Sequence, residues 1–527
     1  MRKIIFYLLL LLCFLLPLAI ISNSFDGDLG WHLRFGQDLH TGTFPYTDTY
    51  TYSKYGSPWT NHEWGGDWLF WLIYSRLGYW WLNLLTATAI TLAFLLIGKT
   101  FNKKLTSTFL ATSLLCLWSI THIFVARLAM FTPLFAALTF FIIEKSKNNQ
   151  RWLYVIPPMF WLWSILHGSW ILGFIILNIY FTSALLARFI PKKYFEILNE
   201  TKLPNTFLHK IIFSQILAAC LITINPYGLK IWIEIIQYFG QNYYKMHTSE
   251  WIPSYTFPIF WKILIIQTIA LVFVIYGFIK KKTSFTNLII FLAFYYVAIT
   301  YKRQAIFIGL LSATVLTAVI EFIQLELSKI TFLNNNNDII KKSFYFFSTS
   351  ALVLLSLYYF FNIHFTNEVW KDKYLIEKNS FPYGAVNWLQ TNVKQPVKIF
   401  NNFDWGGYLN WMMPNALIYF DGRGTATWMY NDKKSMLEHY NEILDNRDGL
   451  KEIENDQVDY ILLRQSTFSM MAKPDVVNDW MFGKDAIQTT YFTPTQLEKD
   501  LAHSSKWKKI YFDRQVNIWQ NINLAPK

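Results

Sequence analysis

The chain has 527 residues, of which 53% are hydrophobic and 15% charged, with a formal net charge of +13. The apolar residues gather in repeated runs close to the length of a membrane span, which excludes an ordinary soluble fold. The positive charge does not point to nucleic acid, because most Lys and Arg lie in short connections between apolar runs and no basic face carries interleaved stacking aromatics.

In chain order, Arg2 and Lys3 precede an apolar run that resembles a signal peptide. It lacks a small-residue cleavage site before Ser24 and further spans follow, so a retained anchor over Ile4–Ser22 is expected, with its N-terminus inside. A long polar segment, residues 23–78, then forms the first outer loop, and DWLFWLIYSRLG near its end predicts an interfacial helix. The second span, Tyr79–Gly98, returns to Lys99, Lys103 and Lys104. Further runs lie at Leu105–Ile120, Leu128–Ile143, Trp152–Leu166, Ser169–Ala187, Leu208–Ile224, Ile259–Ile279, Ser284–Thr300, Gln304–Phe322 and Ser343–Phe361. The expected architecture is therefore an α-helical polytopic membrane protein with about eleven spans, N-terminus in and C-terminus out. Charge supports this register: the inner connections hold clusters such as Arg188, Lys192 and Lys193, or Lys280, Lys281 and Lys282, and the outer ones hold far fewer basic residues. Cys13, Cys116 and Cys220 all fall within apolar runs, so neither a disulfide framework nor a cysteine metal cluster is expected.

Beyond Phe361 the hydropathy falls. Val397–Phe400, Ala416–Phe420, Asp459–Leu463, Lys509–Phe512 and Val516–Trp519 read as strands, with helical patterns at Asp432–Leu444 and Gln496–His503. Residues 362–527 are thus expected to form a small extracytoplasmic α/β domain after a membrane domain of residues 1–361. The asparagine run Asn334–Asn337 reads as a loop without chemistry.

On this topology the unusual polar residues share the outer side: Asp26, Asp28, His32, Arg34, His62, Glu63, Asp67, His122, Arg127, His167, Asn225, His247, Glu250, Lys302 and Arg303. Ionisable groups at span ends face a cavity or a partner, so one shared outward-facing cavity is expected. Each residue also has a plain structural reading. Asp26-Gly27-Asp28 can be a turn after a span, Arg127 and Arg303 can snorkel to headgroups, His167-Gly168 can be a satisfied helix end, and His62-Glu63 can be a surface pair. No phosphate-cradling glycine loop, GxSxG elbow or HExxH zinc motif occurs.

DGDLGWHLRFGQDLHTGTFPYTDTYTYSKYGSPWTNHEWGGDWLF, followed by ARLAMFTPLF, LWSILHGSWILG, INPYGLKIW and TSEW, resembles bacterial multispan proteins of the GT-C glycosyltransferase superfamily. The later FPYGAVNWL, FNNFDWGGYL and YFDGR resemble the outer domain of one subgroup of it. The chain departs from the pattern at Arg127-Leu128, where the resemblance leads one to expect Arg-Pro.

The resemblance implies a multi-pass protein of the bacterial cytoplasmic membrane, related to protein O-mannosyltransferases and aminoarabinose transferases. Its donor would be a polyprenyl-phosphate-linked sugar, and its acceptor a glycan, lipid or protein on the outer face. It further implies an acid in the first outer loop, for which Asp28 is first choice and Asp26 second; a carboxylate base gives an inverting transfer. Arg127, Arg303 and Arg34, with Lys302, are the candidates to meet the phosphate, since guanidinium matches phosphate oxygens bidentately. His32, His62, Glu63 and His167 would line the site. An alternative role for Asp26 and Asp28 is to hold Mg2+ or Mn2+. Two rival classes stay open: a transporter or flippase for a lipid-linked or anionic substrate, and a noncatalytic sugar-lipid-binding envelope protein. The FDWGGY stretch, residues 403–408, either offers aromatic faces to sugars or is a turn packed beneath a sheet. Asp421-Gly422-Arg423 has a structural ion pair as its plain reading.

Overall fold

The structure is a computed structural model that describes residues 2–22, 24, 26–191, 198–200, 203–256, 260–327, 354, 381–394, 396–424, 427–465, 494–513 and 515–524. It divides into two compact units. One comprises Met1–Ser24, Asn83–Pro226 and Ser249–Phe365, and the other Phe25–Leu82, Tyr227–Thr248 and Thr366–Lys527.

The first unit is helical. Among the described residues, seven helices are long and apolar enough to cross a membrane: Lys3–Ser22, Tyr79–Phe101, Leu128–Ser146, Gly168–Phe189, Asn205–Thr223, Trp261–Ile279 and Lys302–Glu326. Ser107–Ser119 and Phe285–Thr300 are apolar but shorter. The expected Trp152–Leu166 span is instead a 3-10 segment, Gln150–Val155, leading into the helix Ile156–Leu166. Pro157 and Pro158 sit in its first turn, where a missing N–H costs nothing. The expected span Ser343–Phe361 and the Asn334–Asn337 loop lie outside the described residues, Leu354 apart.

The helix starts follow local chemistry. Thr106 accepts a hydrogen bond from the Phe109 N–H, and Ser284 one from the Asn287 N–H, as capping residues do. Small polar side chains then tie helices together where water is scarce. Thr112 Oγ1 reaches Thr317 Oγ1 at 2.7 Å, and Thr91 Oγ1 donates to the Cys13 carbonyl at 3.3 Å.

The second unit is built on a five-stranded mixed sheet of order β2-β1-β3-β5-β4. The strands are β1 (Val397–Asn401), β2 (Ala416–Ile418), β3 (Tyr460–Arg464), β4 (Trp507–Phe512) and β5 (Val516–Asn521). β1 pairs in parallel with β2 and β3, whereas β5 pairs antiparallel with β3 and β4. Helices Tyr383–Asn392 and Gly406–Met412 bury Leu389, Tyr408 and Leu409 with Ile399 and Leu462 of the sheet in one core.

The first loop belongs to this unit and extends its sheet. The Ile418 N–H donates to the Tyr50 carbonyl at 3.2 Å, and the Tyr52 N–H to the Ile418 carbonyl at 2.8 Å, so the loop lies along the edge of β2. A buried ion cluster locks the junction. Arg423 donates to both carboxylate oxygens of Asp421, its Nη1 lies 3.0 Å from Asp48 Oδ1, and its guanidinium rests between Tyr50, Trp59 and Trp428. The loop carries two helices, Leu29–His40 and Trp64–Leu77. The second ends at Gly78, whose φ of +88° suits glycine alone.

Candidate functional site

The acidic turn of the mixed unit is defined by its backbone. Asp26 is buried and its Oδ1 accepts from the Asp28 N–H at 3.1 Å. Asp28 stands at the N-cap of Leu29–His40, and its carbonyl accepts from the His32 N–H at 3.2 Å. Its side chain makes no capping bond. The carboxylate instead lies against Gly422, where a Cβ would collide with Oδ1.

One helical turn later His32 is buried among acids. Its Nδ1–H donates to Asp67 Oδ1 at 2.5 Å, and the other Asp67 oxygen accepts from Asn61 Nδ2 at 2.5 Å. Its Nε2 stands 3.7 Å from Glu63 Oε2. Burial opposes charge on His32, but the carboxylates of Asp67, Glu63 and Asp28 outweigh it and raise its pKa. His62, with Nε2 3.6 Å from Glu63 Oε1, behaves oppositely: burial and then the neighbouring His32 push it down to about 4, so it is neutral. Arg34 is engaged away from this group, with Asp38 at 3.3 Å, and Tyr50 Oη donates to the same Asp38 oxygen at 2.7 Å.

His32, Glu63 and Asp67 place one ligand atom each within 4.8 Å of one another and are all buried. One imidazole and two carboxylates suit a divalent cation such as zinc or manganese. Asp26 and Asp28, the sequence-based metal candidates, are not members of this group.

The helical unit holds a separate cationic cluster. Arg127 Nη1 lies 2.6 Å from Glu250 Oε1, and Arg303 Nη1 3.0 Å from Glu250 Oε2, so one carboxylate bridges two guanidiniums. Glu250 resists burial of its charge only because Arg127, Arg303 and Lys302 surround it; together they hold its pKa down at about 2. Arg303 also covers the Trp251 ring at 4.9 Å, and Lys302 the Phe260 ring at 4.5 Å. With Glu250 ionised, three cations face one anion, a net positive patch suited to a phosphate. In place of the expected Arg-Pro, Arg127 is extended before the 3-10 turn Leu128–Phe131, and Pro133 opens the helix that follows. His167 closes a helix end: its Nδ1 accepts from the Ser169 N–H at 3.2 Å and meets Thr132 Oγ1 at 3.1 Å.

Thus Asp26, Asp28, His32, Arg34, His62 and Glu63 lie in the mixed unit, and Arg127, His167, Lys302 and Arg303 in the helical unit. Asp67 and Glu250 enter as partners that sequence reasoning did not rank. Asp67 had one local signal, its position four residues beyond Glu63 and hence on the same helix face. Of the aromatics in the FDWGGY stretch, Trp405 and Tyr408 are core residues with 1% and 0% exposure, so the packed turn is what the structure contains there.

No protein-family model matches the chain, and no curated protein matches it by sequence. Solved structures of the Archaeoglobus fulgidus oligosaccharyltransferase do resemble it. The form tethered to an acceptor peptide containing the NVT sequon gives a TM-score of 0.55 at 13% identity, covering 86% of this chain and 68% of that one. The complex with an inhibitory peptide and a dolichol-phosphate gives 0.54 at 12%, covering 86% and 68%. The complex with zinc and sulfate gives 0.50 at 13%, covering 86% and 67%. This chain accordingly shares its overall fold with the Archaeoglobus fulgidus oligosaccharyltransferase.

Proposed function

We propose that the protein is a membrane glycosyltransferase that moves a sugar from a polyprenyl-phosphate donor to an acceptor hydroxyl on the outer face of the bacterial cytoplasmic membrane. The observation that carries this reading is the pair of guanidiniums, Arg127 and Arg303, held on one carboxylate in a chain that shares the oligosaccharyltransferase fold. Two arginines held on one carboxylate are ready to grip a phosphate, and such positioned charge is commonly the largest catalytic contribution.

In the reaction, Asp28 takes the proton of the acceptor hydroxyl as its oxygen attacks the anomeric carbon. The bond from that carbon to the phosphate oxygen breaks, and its electron pair leaves on the polyprenyl phosphate. Arg127, Arg303 and Lys302 are the cations of the helical unit that would bind a phosphate. Attack from the face opposite the phosphate inverts the anomeric centre. Asp26 holds the Asp28 N–H and so fixes the turn that presents the base. If a divalent cation is bound, His32, Glu63 and Asp67 are the residues that would hold it, and it would supply Lewis-acid charge for an anionic group.

The cation assignment has a direct test. Arg127→Ala and Arg303→Ala should each raise the donor KM or lower kcat/KM by about 10- to 100-fold, the range expected for a hydrogen bond between charged groups. Wild-type kinetics in both variants would remove them from the site. The metal assignment predicts bound zinc or manganese in the purified protein by elemental analysis, with the content falling in His32→Ala and Asp67→Asn. Equal content in wild type and both variants would place any cation elsewhere.

A further inference from the structure

The two C-terminal glycine motifs meet the acidic turn of the first loop. At Gly407 a Cβ would run into the carbonyl of Gly27, and at Gly30 a Cβ would run into the carbonyl of Gly407. Two stretches of backbone therefore touch with no room for a side chain between them. The Asp404 carbonyl lies 3.1 Å from where a Gly27 Cβ would stand, so the same segment also borders the turn at the residue before Asp28. On the other side Gly422 receives the Asp28 carboxylate. Gly422 is itself fixed, because its neighbours Asp421 and Arg423 form the buried ion cluster with Asp48.

Backbone contact of this kind has a specific consequence. A side chain that crowds a carboxylate can rotate away, whereas a carbonyl or a Cα cannot. The backbone on either side of Asp28 is then held by the Gly407 segment through Gly27 and Gly30, and its carboxylate is met by Gly422.

We infer that Gly407 and Gly422 are positioning residues for Asp28, so that the C-terminal segment is an integral part of the base's site as well as a neighbour of any acceptor. The inference rests on the transferase reading above and adds to it a second source of catalytic geometry. Gly422→Ala would put a methyl group where Asp28 Oδ1 now lies, and displacing a reacting group by about 1 Å can cost on the order of 10²-fold in rate. Gly240→Ala is the matched control, since a Cβ there meets open space.

The test uses the full-length protein in nanodiscs with undecaprenyl-phosphate-linked hexose, following release of undecaprenyl phosphate. The variants are Gly422→Ala, Asp28→Asn, their combination and Gly240→Ala. Gly422→Ala should lower kcat by about 10- to 100-fold with the donor KM little changed, and the combination should be no slower than Asp28→Asn alone. Gly240→Ala should match wild type. If Asp28→Asn is impaired while Gly422→Ala is not, or if the two losses multiply, the positioning role is wrong. If Asp28→Asn itself retains wild-type turnover, the base assignment fails first. Thermal midpoints give an arm independent of turnover: a midpoint lowered by Gly422→Ala should recover when Asp28→Ala removes the opposing carboxylate. A midpoint that stays low in that pair would show the clash to lie elsewhere and would overturn the inference.

Discussion

Asp28→Asn is expected to lower sugar transfer by about 10²- to 10⁴-fold, the usual contribution of a positioned general base, with little change in thermal midpoint. Asparagine preserves the size of the side chain and its place against Gly422 but cannot take the acceptor proton. The donor KM should be nearly unchanged, because the proposed phosphate contacts come from Arg127, Arg303 and Lys302. Asp26→Asn should behave differently. Asp26 is buried and holds the Asp28 N–H, so its loss should slow transfer through the turn and also lower stability. Steady-state release of polyprenyl phosphate distinguishes the two, and wild-type rates in both variants would exclude Asp26 and Asp28 as the base.

The largest stability effect is expected at Arg423. Its side chain is 1% exposed, and the Asp48 and Asp421 side chains it pairs with are 0% exposed. Arg423→Met would leave both carboxylates buried without their cation, a change that typically costs about 3–5 kcal/mol. Arg423→Lys keeps the charge but loses the planar fork between Tyr50, Trp59 and Trp428, so an intermediate loss is expected. The midpoint of chemical denaturation of the full-length protein, compared between wild type and the two variants, measures the loss. A midpoint unchanged in Arg423→Met would show that the cluster does not hold the first loop to the sheet edge.

Much of the architecture was legible because it is written in local patterns. Each short apolar run between Val397 and Trp519 became a strand, and Gln496–His503 is the helix expected there, closed by a Thr495–Glu498 capping box. Among the described residues the long apolar runs became helices for the same reason, with a 3-10 start at Gln150–Val155. Leu29–His40 is hard to read from sequence because its twelve residues include Gly30 and Gly36 and charged Arg34 and Asp38, and because Asp28 before it reads as part of a turn. Both glycines are there for close packing, which is a nonlocal requirement: a Cβ at Gly36 would strike the Asp67 backbone of the neighbouring helix.

The site was legible as a list of residues and not as a set of partners. Arg127, Glu250 and Arg303 come from three separate stretches of the chain, and no spacing rule links them. The DGD turn, the FDWGGY stretch and the FDGR stretch were each visible as motifs. That the glycines of the last two exist to admit the first could be seen only once the backbone was folded. Arg423 likewise reads as a local ion pair with Asp421, whereas its burial depends equally on Asp48 in the first loop.

Donor-consuming sugar transfer can be followed by reconstituting the purified protein in proteoliposomes with a panel of undecaprenyl-phosphate-linked hexoses and monitoring the lipids by mass spectrometry. At least one donor should be converted to undecaprenyl phosphate, with the hexose mass appearing on an acceptor, and Asp28→Asn should abolish most of this conversion. Movement of intact donor across the bilayer without any consumption would contradict it and identify a transporter instead.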